Sequence, residues 1–214
     1  EVENSLKKLY NKRGYLLPHH GLLAISNPQL LEAYDLTYTH MTLTDKVLSL
    51  YEKEVIWFII LISTSEAIAT HHIDRLKQSG GDQTDIEAAL EIAVWAKGAD
   101  YFTFVENHWG VHLNKCTAVA RYRDGLKTIT EKYQIEQKVI EIGLAAAHQC
   151  HRRWNWVSEH LMGAYAAGAS EGAIAEGLAL AMFPGGVPNF VDTCDIWRKL
   201  IQDKKVEATE PYKA

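Results

Sequence analysis

The sequence is poor in cysteine and proline. Only three cysteines (Cys116, Cys150 and Cys194) and five prolines are spread over 214 residues. The cysteines are odd in number, lie far apart and form no CxxC pair, so neither a disulfide framework nor a cysteine-rich zinc site is expected. This cysteine usage is typical of a protein in the reducing cytoplasm, which we expect as its location.

The chain also lacks an excess of positive charge and a long apolar run. Its net charge is -5, which does not favour binding to nucleic acid or to an anionic membrane surface. The most apolar run, residues 55–62, is much shorter than the ~20 residues of a membrane span. The acidic N-terminus has no signal-peptide pattern, although a chain that begins at Glu1 can have lost one. We therefore expect no nucleic-acid partner and no membrane partner.

What the sequence does contain is apolar residues spaced three to four apart between glycine and proline breaks, which is typical of helices. Asn27 and Pro28 predict the start of one helix. Thr44 or Asp45 predicts the N-cap of the next, whose segment 55–62 is apolar nearly all round and therefore central and buried. Further helices are predicted over residues 65–78, 84–96, 101–117, 134–148, 154–167, 170–182 and 189–202. The predicted fold class is all-α.

Over about 40 aligned positions, residues 72–109, a shift of 88 residues superimposes eight identical residues without a gap, where about two or three would match by chance. The matches are His72 with His160, Gly80 with Gly168, Ile86 with Ile174, Leu90 with Leu178, Ala93 with Ala181, Gly98 with Gly186, Phe102 with Phe190, and Trp109 with Trp197. We interpret this pattern as an internal duplication that forms a pseudo-symmetric pair. The boundary is expected in the polar stretch 121–132, which gives an N-terminal extension (1–20), a first copy (21–120) and a second copy (121–214).

Five features of the first copy follow one another in a fixed order. They are the segments 27–34 (NPQLLEAY) and 52–56 (EKEVI), then His72, Gly80 and the segment 85–90 (DIEAAL). In this order they resemble the lead-in helix, the central helix, the histidine, the glycine and the following helix of the carboxymuconolactone decarboxylase and alkylhydroperoxidase-D-like (AhpD-like) family.

The second copy repeats part of the series. The segment 160–164 (HLMGA), Gly168 and the segment 174–178 (IAEGL) are similar to the decarboxylase branch of that family. The resemblance covers most of the chain and implies an AhpD-like helical fold in two fused copies. Because the family assembles as rings of six units, the resemblance also implies a homo-oligomer, a homotrimer of two-copy chains.

The sequence departs from the peroxidase branch of the family at the redox-active cysteines. That branch carries a CxxC before the histidine, in which one thiolate attacks the peroxide and the second cysteine resolves the product. The corresponding positions hold Ser65 and Ile68 in the first copy, and Arg153 and Trp156 in the second. Cys150 stands near the second of these regions but has no neighbouring cysteine. A dithiol peroxidase is therefore the less favoured interpretation.

The sequence departs from the decarboxylase branch as well. That branch usually has an arginine two residues after the histidine, where it can pair with a substrate carboxylate. Here those positions hold Asp74 and Met162. Arg75 follows one residue later, about 100° around the helix, and is our candidate for binding a substrate carboxylate. The departure puts the usual dicarboxylated lactone in question.

The candidate catalytic residues are first of all His72 and His160, each expected on a helix that faces the core. A neutral imidazole can take a proton and return it, as a lyase or isomerase reaction requires. The alternative is a hydrogen-bonded core histidine retained by duplication. His71 points about 100° away from His72, so we do not expect both to line one pocket, and we place His71 among the substrate-binding candidates.

Two carboxylates complete the catalytic candidates. Glu54 matches the family's glutamate at the head of the central helix, and Glu66 lies six residues before His72. Either can orient or acidify a histidine. The alternative for both is a solvated acid near a helix N-terminus. The second copy has Glu141 and Glu159 instead, so the two sites are not expected to be chemically equivalent.

His108, His112 and Cys116 follow one face of a predicted helix with a spacing that can ligate zinc. Surface histidines explain this pattern better than a metal site does, and no metal is expected. Two further histidine pairs are His148 with His151 and, in a predicted loop after Pro18, His19 with His20.

Trp154 and Trp156 flank the region before His160. Large aromatic residues mostly serve as core or interface residues. Because these two lie near the motif histidine, one of them can wall a pocket for an aromatic substrate, and both are substrate-binding candidates.

Together these features predict a cofactor-independent lyase of the decarboxylase-like branch that uses histidine acid–base chemistry. The resemblance implies a small lactone or an intermediate of aromatic-compound catabolism as the small-molecule substrate. Two alternatives stay open, a peroxide-reducing enzyme and a protein that binds a small ligand without turnover.

Overall fold

The computed structural model describes residues 2–113 and 117–213, and over those residues it contains α-helices and no strand. The all-α prediction is confirmed. The helices are α1 (Val2–Arg13), α2 (Pro18–Ser26), α3 (Pro28–Tyr38), α4 (Leu50–Thr64), α5 (His71–Gln78), α6 (Gln83–Lys97), α7 (Ala99–Trp109), α8 (Ala118–Thr130), α9 (Gln137–Cys150), α10 (Trp154–Ala166), α11 (Glu171–Leu180), α12 (Met182–Gly185) and α13 (Val187–Gln202).

Helices α4 and α9 form the centre of the core. They pack against each other, with α6 beside α4 and with α10 and α11 beside α9. Every residue of α4 from Lys53 to Leu61 is buried, as the all-round apolar pattern predicts. The close approach of the two helices depends on Gly143, where a Cβ atom would lie 2.7 Å from a side-chain carbon of Ile59. No helix within the described ranges combines the length and apolarity needed to cross a membrane.

The predicted helix starts are confirmed at α3 and wrong at α4. Asn27 accepts a hydrogen bond from the Leu30 amide and opens α3 at Pro28. α4 instead begins after Ser49, whose hydroxyl and backbone form a reciprocal capping box with Glu52. Thr44 and Asp45 lie in the loop between the π-helical turn Thr39–Leu43 and this cap.

The helix predicted over residues 65–78 is also shorter than expected. Ser65 adopts a left-handed conformation with φ of 61° and ends α4. The chain then turns, and α5 begins only at His71. Glu66 is therefore an exposed residue of the turn, not a member of the helix that carries His72.

The stretch 121–132, where the sequence places the boundary between the copies, is largely helical. It falls in α8, which follows α7 and the short 3₁₀ turn Gly110–His112. Every fourth residue of α8 is buried, and these residues are Ala118, Tyr122, Leu126 and Thr130. The charged residues between them obscured this single buried stripe in the sequence.

The N-terminal region is helical as well. α1 and α2 were not expected, and the expected end of the extension at residue 20 falls inside α2. His19 and His20 lie in the first turn of α2, so their prediction as loop residues is wrong. Pro18 opens this helix, because its fixed φ suits the first turn of a helix. Leu9, Ala24 and Leu31 join α1, α2 and α3 in a small core of their own.

We expect Gly177→Ala to destabilise the protein by about 1–3 kcal/mol, the usual effect of overpacking. A Cβ atom at this position in α11 would lie 2.1 Å from a side-chain carbon of Ile142 in α9. The two buried helices would have to separate. Urea unfolding monitored by circular dichroism measures the change.

The matched control is Gly21→Ala in α2. A Cβ atom at Gly21 meets no atom within 4 Å, so alanine improves the helix propensity there by about 0.5–1 kcal/mol. Equal effects of the two substitutions would contradict the close α9–α11 contact.

Candidate active site

The structure brings Glu54 of α4 and His72 of α5 together. Nδ1 of His72 lies 2.6 Å from Oε2 of Glu54, and the two residues are 2% and 3% exposed. Glu54 is buried because it lies on the central helix, and the start of α5 crosses that helix next to it. Two of the four residues predicted to be catalytic thus form a carboxyl–imidazole pair inside the protein.

Burial sets the protonation of this pair. It raises the pKa of Glu54 to about 8 and lowers the pKa of His72 to about 3. The nearby Arg75 charge lowers both pKa values but does not offset burial at Glu54. At neutral pH the carboxyl group therefore holds its proton and donates it to Nδ1, and the neutral imidazole carries its own proton on Nε2.

His72 lines a cavity of about 340 Å³ that we call the aromatic cavity. Its wall consists of Leu17, His19, Tyr34, Tyr38, Trp57, Leu61, Glu66, His71, His72, Phe183 and Pro184. The indole of Trp57 packs 4.9 Å from the His72 ring, measured between centroids. Nδ1 of His72 is taken by Glu54, so Nε2 is the nitrogen that can act on a molecule in this cavity.

Glu54 lines a second, more polar cavity of about 670 Å³, the polar cavity. Lys12, Arg13, Asp74 and Arg75 also line it. The Glu54–His72 pair therefore separates the two cavities, with the carboxyl group on one side and the imidazole on the other. A proton that reaches Glu54 from the polar cavity can be passed to the imidazole by one hydrogen bond.

The remaining first-copy candidates lie around this pair. His71 lines both cavities, so the expectation that it and His72 would not share a pocket is wrong. Their rings are 4.4 Å apart, because the cavity extends along the first turn of α5. Glu66 lines the aromatic cavity from its exposed turn.

Arg75 lines the polar cavity but not the aromatic cavity. Its guanidinium donates hydrogen bonds to the hydroxyl groups of Tyr38 (2.6 Å) and Tyr15 (2.9 Å). No carboxylate of the described residues lies within ion-pairing distance of it. Arg75 therefore keeps an uncompensated charge next to Glu54.

A second pair joins His160 of α10 to Glu141 of α9, with Nδ1 2.8 Å from Oε2. Here the other ring nitrogen is also occupied, since Nε2 lies 2.9 Å from the Tyr122 hydroxyl. Glu141 in addition accepts hydrogen bonds from Arg123 and Gln137. His160 is fully buried and lines none of the described cavities. This arrangement is a closed hydrogen-bond network.

The charges around the two pairs differ. Burial raises the pKa of Glu141, but the hydrogen bond with His160 and the charge of Arg123 outweigh burial, so this pKa is lowered overall. At Glu54, burial prevails. Counting back 88 residues places Asp35 opposite Arg123 and Tyr34 opposite Tyr122. Asp35 pairs instead with basic residues of α1. Tyr34 lines the aromatic cavity. Among the described residues it forms no hydrogen bond to a ring nitrogen of His72 or His160.

Trp154 and Trp156 lie elsewhere. They line a third cavity with Asp100, His151 and Arg153, and His160 does not line it. Trp156 is 4% exposed and packs against Tyr122. The structure therefore does not bring these two tryptophans together with either buried histidine in one cavity.

The described cysteines are not arranged for redox chemistry. Burial raises the pKa of Cys150 to about 12 and also raises that of Cys194, and both thiols are free. Cys116 lies outside the described residues. Within the described ranges no three His, Cys, Asp or Glu side chains are grouped closely enough to hold a metal ion. His108 and His112 are exposed.

Sequence reasoning missed the N-terminal helices as part of the site. Tyr15, His19, Tyr34 and Tyr38 come from α2, α3 and the segment before α2, and they close over α5. The signal that was available is Trp57, which follows Glu54 by three residues and therefore shares its helix face. The fold alone brings the N-terminal aromatic residues to that face.

The chain matches no protein-family model, no curated protein and no solved structure. Its function is therefore inferred from the site itself and from the resemblance of its motifs.

Proposed function

We propose that this protein is a cofactor-independent acid–base lyase of the carboxymuconolactone decarboxylase-like type, with His72 and Glu54 as its reacting pair. One observation carries the proposal. His72 is held through Nδ1 by Glu54 and lines a cavity large enough for a small organic molecule. The substrate class, a small lactone or an intermediate of aromatic catabolism, comes from the resemblance.

The protonation state of the pair suits decarboxylation. The bond between the substrate's carboxylate and its neighbouring carbon breaks, CO₂ leaves, and the electron pair moves to an adjacent carbonyl oxygen as an enolate. Nε2–H of His72 then protonates the enolate carbon while Nδ1 takes the proton of Glu54. After the product leaves, one proton from solvent adds to Nε2 of His72, and Nδ1 returns its proton to the Glu54 carboxylate, which restores the pair.

We assign the chemistry to His72 rather than to His160. A general acid needs a ring nitrogen that a substrate can reach. Both nitrogens of His160 are occupied inside the protein, so this histidine serves the fold. Each pair joins a central helix to the helix that follows it, which supports an origin by duplication. The 88-residue shift aligns the two histidines and brings the two glutamates to within one residue of each other.

A peroxide-reducing function is less well supported. That chemistry needs a thiolate, and burial disfavours the thiolate of Cys150. A non-catalytic binding protein would use the same cavity without turnover, and the experiment described below distinguishes it from an enzyme.

The homotrimer that the resemblance implies and a location in the cytoplasm are part of the proposal. Sedimentation velocity measures the oligomeric state.

The test is a screen of small acidic lactones and aromatic carboxylic acids for CO₂ release. We expect His72→Gln to reduce turnover about 10²- to 10⁴-fold, the usual contribution of a general acid. Glu54→Gln keeps a hydrogen-bond donor for Nδ1 but cannot release a proton. It is expected to reduce kcat and to flatten the pH profile on its alkaline side near pH 8, where Glu54 ionises.

Two controls separate chemistry from folding. His160→Gln is expected to lower the melting temperature with little effect on turnover per folded molecule. His40→Gln changes an exposed histidine and should alter neither. Full turnover in the His72→Gln variant would contradict the proposal, and binding of a screened compound without consumption would favour the non-catalytic alternative.

A further inference from the structure

We infer that the aromatic cavity binds a planar carbonyl or phenolic compound whose oxygen accepts hydrogen bonds from Trp57 and His71. This ligand class describes the substrate of the site, and it rests on the proposed function only where the ligand oxygen is placed beside His72. Trp57 and His71 would then be two hydrogen-bond donors to the substrate, in addition to the acid–base pair of His72 and Glu54.

Three buried polar atoms around this cavity have no hydrogen-bond partner within the described chain. They are Nε1 of Trp57, Nδ1 of His71 and Nε2 of His19, and all three residues line the aromatic cavity. A buried polar group without a partner destabilises the folded protein. Such groups are rare in folded proteins and call for an explanation, and three around one cavity point to a ligand that satisfies them.

The direction of two of these hydrogen bonds follows from the surrounding contacts. The indole of Trp57 can only donate. Arg75 donates to the Tyr38 hydroxyl, so that hydroxyl is free to donate to Nε2 of His71, which lies 3.4 Å away. A neutral imidazole that accepts at Nε2 carries its proton on Nδ1. Nδ1 of His71 is therefore a second donor.

Two donors of this kind select an acceptor atom on the ligand. Burial and the neighbouring positive charges lower the pKa of His71 to about 3 and keep its ring neutral. The matching group is therefore an oxygen with lone pairs, such as a carbonyl, enolate or phenolate oxygen. A ligand amine would meet the N–H donors of Trp57 and His71 and would leave them unsatisfied.

The walls of the cavity select a flat ligand. Tyr34, Tyr38 and Phe183 pack with ring centroids 5.5 to 6.1 Å apart. Rings at these separations form surfaces on which a planar molecule stacks. A volume of about 340 Å³ suits a molecule of one or two rings.

The two donors also fit the proposed reaction. Decarboxylation places negative charge on the carbonyl oxygen as the enolate forms. Fixed N–H groups stabilise such a charge more strongly than that of the starting carbonyl group. The donor atoms are closed to water in the free protein, so their hydrogen bonds form only with a ligand that packs directly against them.

The test uses 4-nitrophenol as the probe, because its phenolate absorbs visible light. We expect saturable binding to the full chain and a shift of the bound probe toward the phenolate form. In the ¹H–¹⁵N spectrum the indole signal of Trp57, assigned with Trp57→Phe, should move downfield. The indole signals of Trp95 and Trp197 should stay, because these groups already donate to Tyr122 and Tyr165.

Two variants test the donors separately. Trp57→Phe and His71→Phe each keep an aromatic ring and remove one donor, and each is expected to weaken binding at least tenfold. Trp154→Phe, at the third cavity, is the matched control and should bind as the original chain does. His71 is only half-buried, so its variant decides the question if Trp57→Phe does not fold.

The inference is overturned if the probe does not bind saturably, or if Trp154→Phe weakens binding as much as the other two variants. Unchanged binding in folded His71→Phe would overturn it as well. His72→Gln distinguishes this failure from failure of the proposed function. If the original chain binds the probe but shows no turnover that depends on His72, the donor site is supported and the proposed function is not. If the chain shows turnover that depends on His72 but does not bind the probe, only the reacting pair of His72 and Glu54 is supported.

Discussion

Lowering the pH from 7 to 5 is expected to destabilise the protein steeply. The cause is a set of buried histidines that are neutral when folded, with pKa values below the ordinary value of 6.5. These residues are His20, His72, His148 and His160, each 2% exposed or less. The unfolded chain exposes these rings and binds protons to them as the pH falls through 6.5, so protonation favours unfolding.

The sign and size follow from counting protons. Each histidine whose pKa is lowered in the folded protein reduces the free energy of unfolding as the pH falls below 6.5. The reduction is about 1.4 kcal/mol per pH unit. Glu54 acts in the opposite direction. Its raised pKa, about 8, makes the folded state gain stability as the pH falls from 8 to 4.5. His71, with a pKa of about 3, adds to this count, and Glu141 offsets part of the shift at His160. We therefore expect about three net protons, or about 4 kcal/mol per pH unit.

Urea unfolding at half-unit steps between pH 7 and pH 5 measures the slope. His148→Gln should reduce this slope by the contribution of one proton, about 1.4 kcal/mol per pH unit. The reason is that the His148 ring is 2% exposed and its Nε2 has no partner in the described chain. The matched control is His40→Gln, an exposed histidine, which should leave the slope unchanged. A stability that stays flat between pH 7 and pH 5 would contradict the neutral, buried state of these histidines.

Glu176→Ala is expected to destabilise the protein by about 3 kcal/mol, near the lower end of the range for breaking a buried ion pair. Lys53 of α4 is fully buried, and its Nζ lies 3.4 Å from Oε2 of Glu176 in α11. Nζ also donates to the carbonyl oxygen of Thr44. The amides of Val47 and Leu48 donate to the same carboxylate. Removing it leaves a buried charge and two amides without their partner.

A double-mutant cycle isolates this interaction. Lys53→Met combined with Glu176→Gln removes both charges, so the double variant should lose less than the sum of the two single variants. Glu131→Ala is the control, because it breaks an exposed pair with Lys127 and should have no measurable effect. Additive effects of the two single substitutions would show that Lys53 does not depend on Glu176.

The same contacts link stability to the candidate site. They hold the loop 44–48 between α4 and α11. Thr42 and Leu43, just before this loop, line the polar cavity next to Glu54. We therefore expect that loss of Glu176 loosens one wall of the polar cavity.

Much of the helical architecture could be predicted from local pattern. The 55–62 run placed the central helix because a segment that is apolar all round has to be enclosed. Asn27 and Pro28 placed the start of α3 because side-chain capping is a local effect. The pattern misplaced the start of α5, since the conformation of Ser65 depends on how the chain turns after α4. It missed the buried stripe of α8, where one apolar residue per turn is easily obscured.

The candidate site was predictable only in part. The repeat and the family motifs identified His72, His160 and Glu54, because those residues lie within recognisable segments. They did not distinguish the two histidines. That difference comes from Arg123 and Tyr122, which are near His160 and Glu141 in space but 18 to 38 residues away in sequence. A hydrogen-bond network of this kind leaves no periodic signal in the sequence.

Local sequence pattern was enough to predict an all-helical chain with a buried central helix and a small set of histidines and carboxylates to test. Periodicity and capping are local, so they can be recognised in a single sequence. Helix packing was needed to bring Glu54 to His72 between two cavities, to enclose His160, and to add the N-terminal helices to the wall of the aromatic cavity. These features depend on desolvation and on contacts between distant segments, and both arise only when the helices pack.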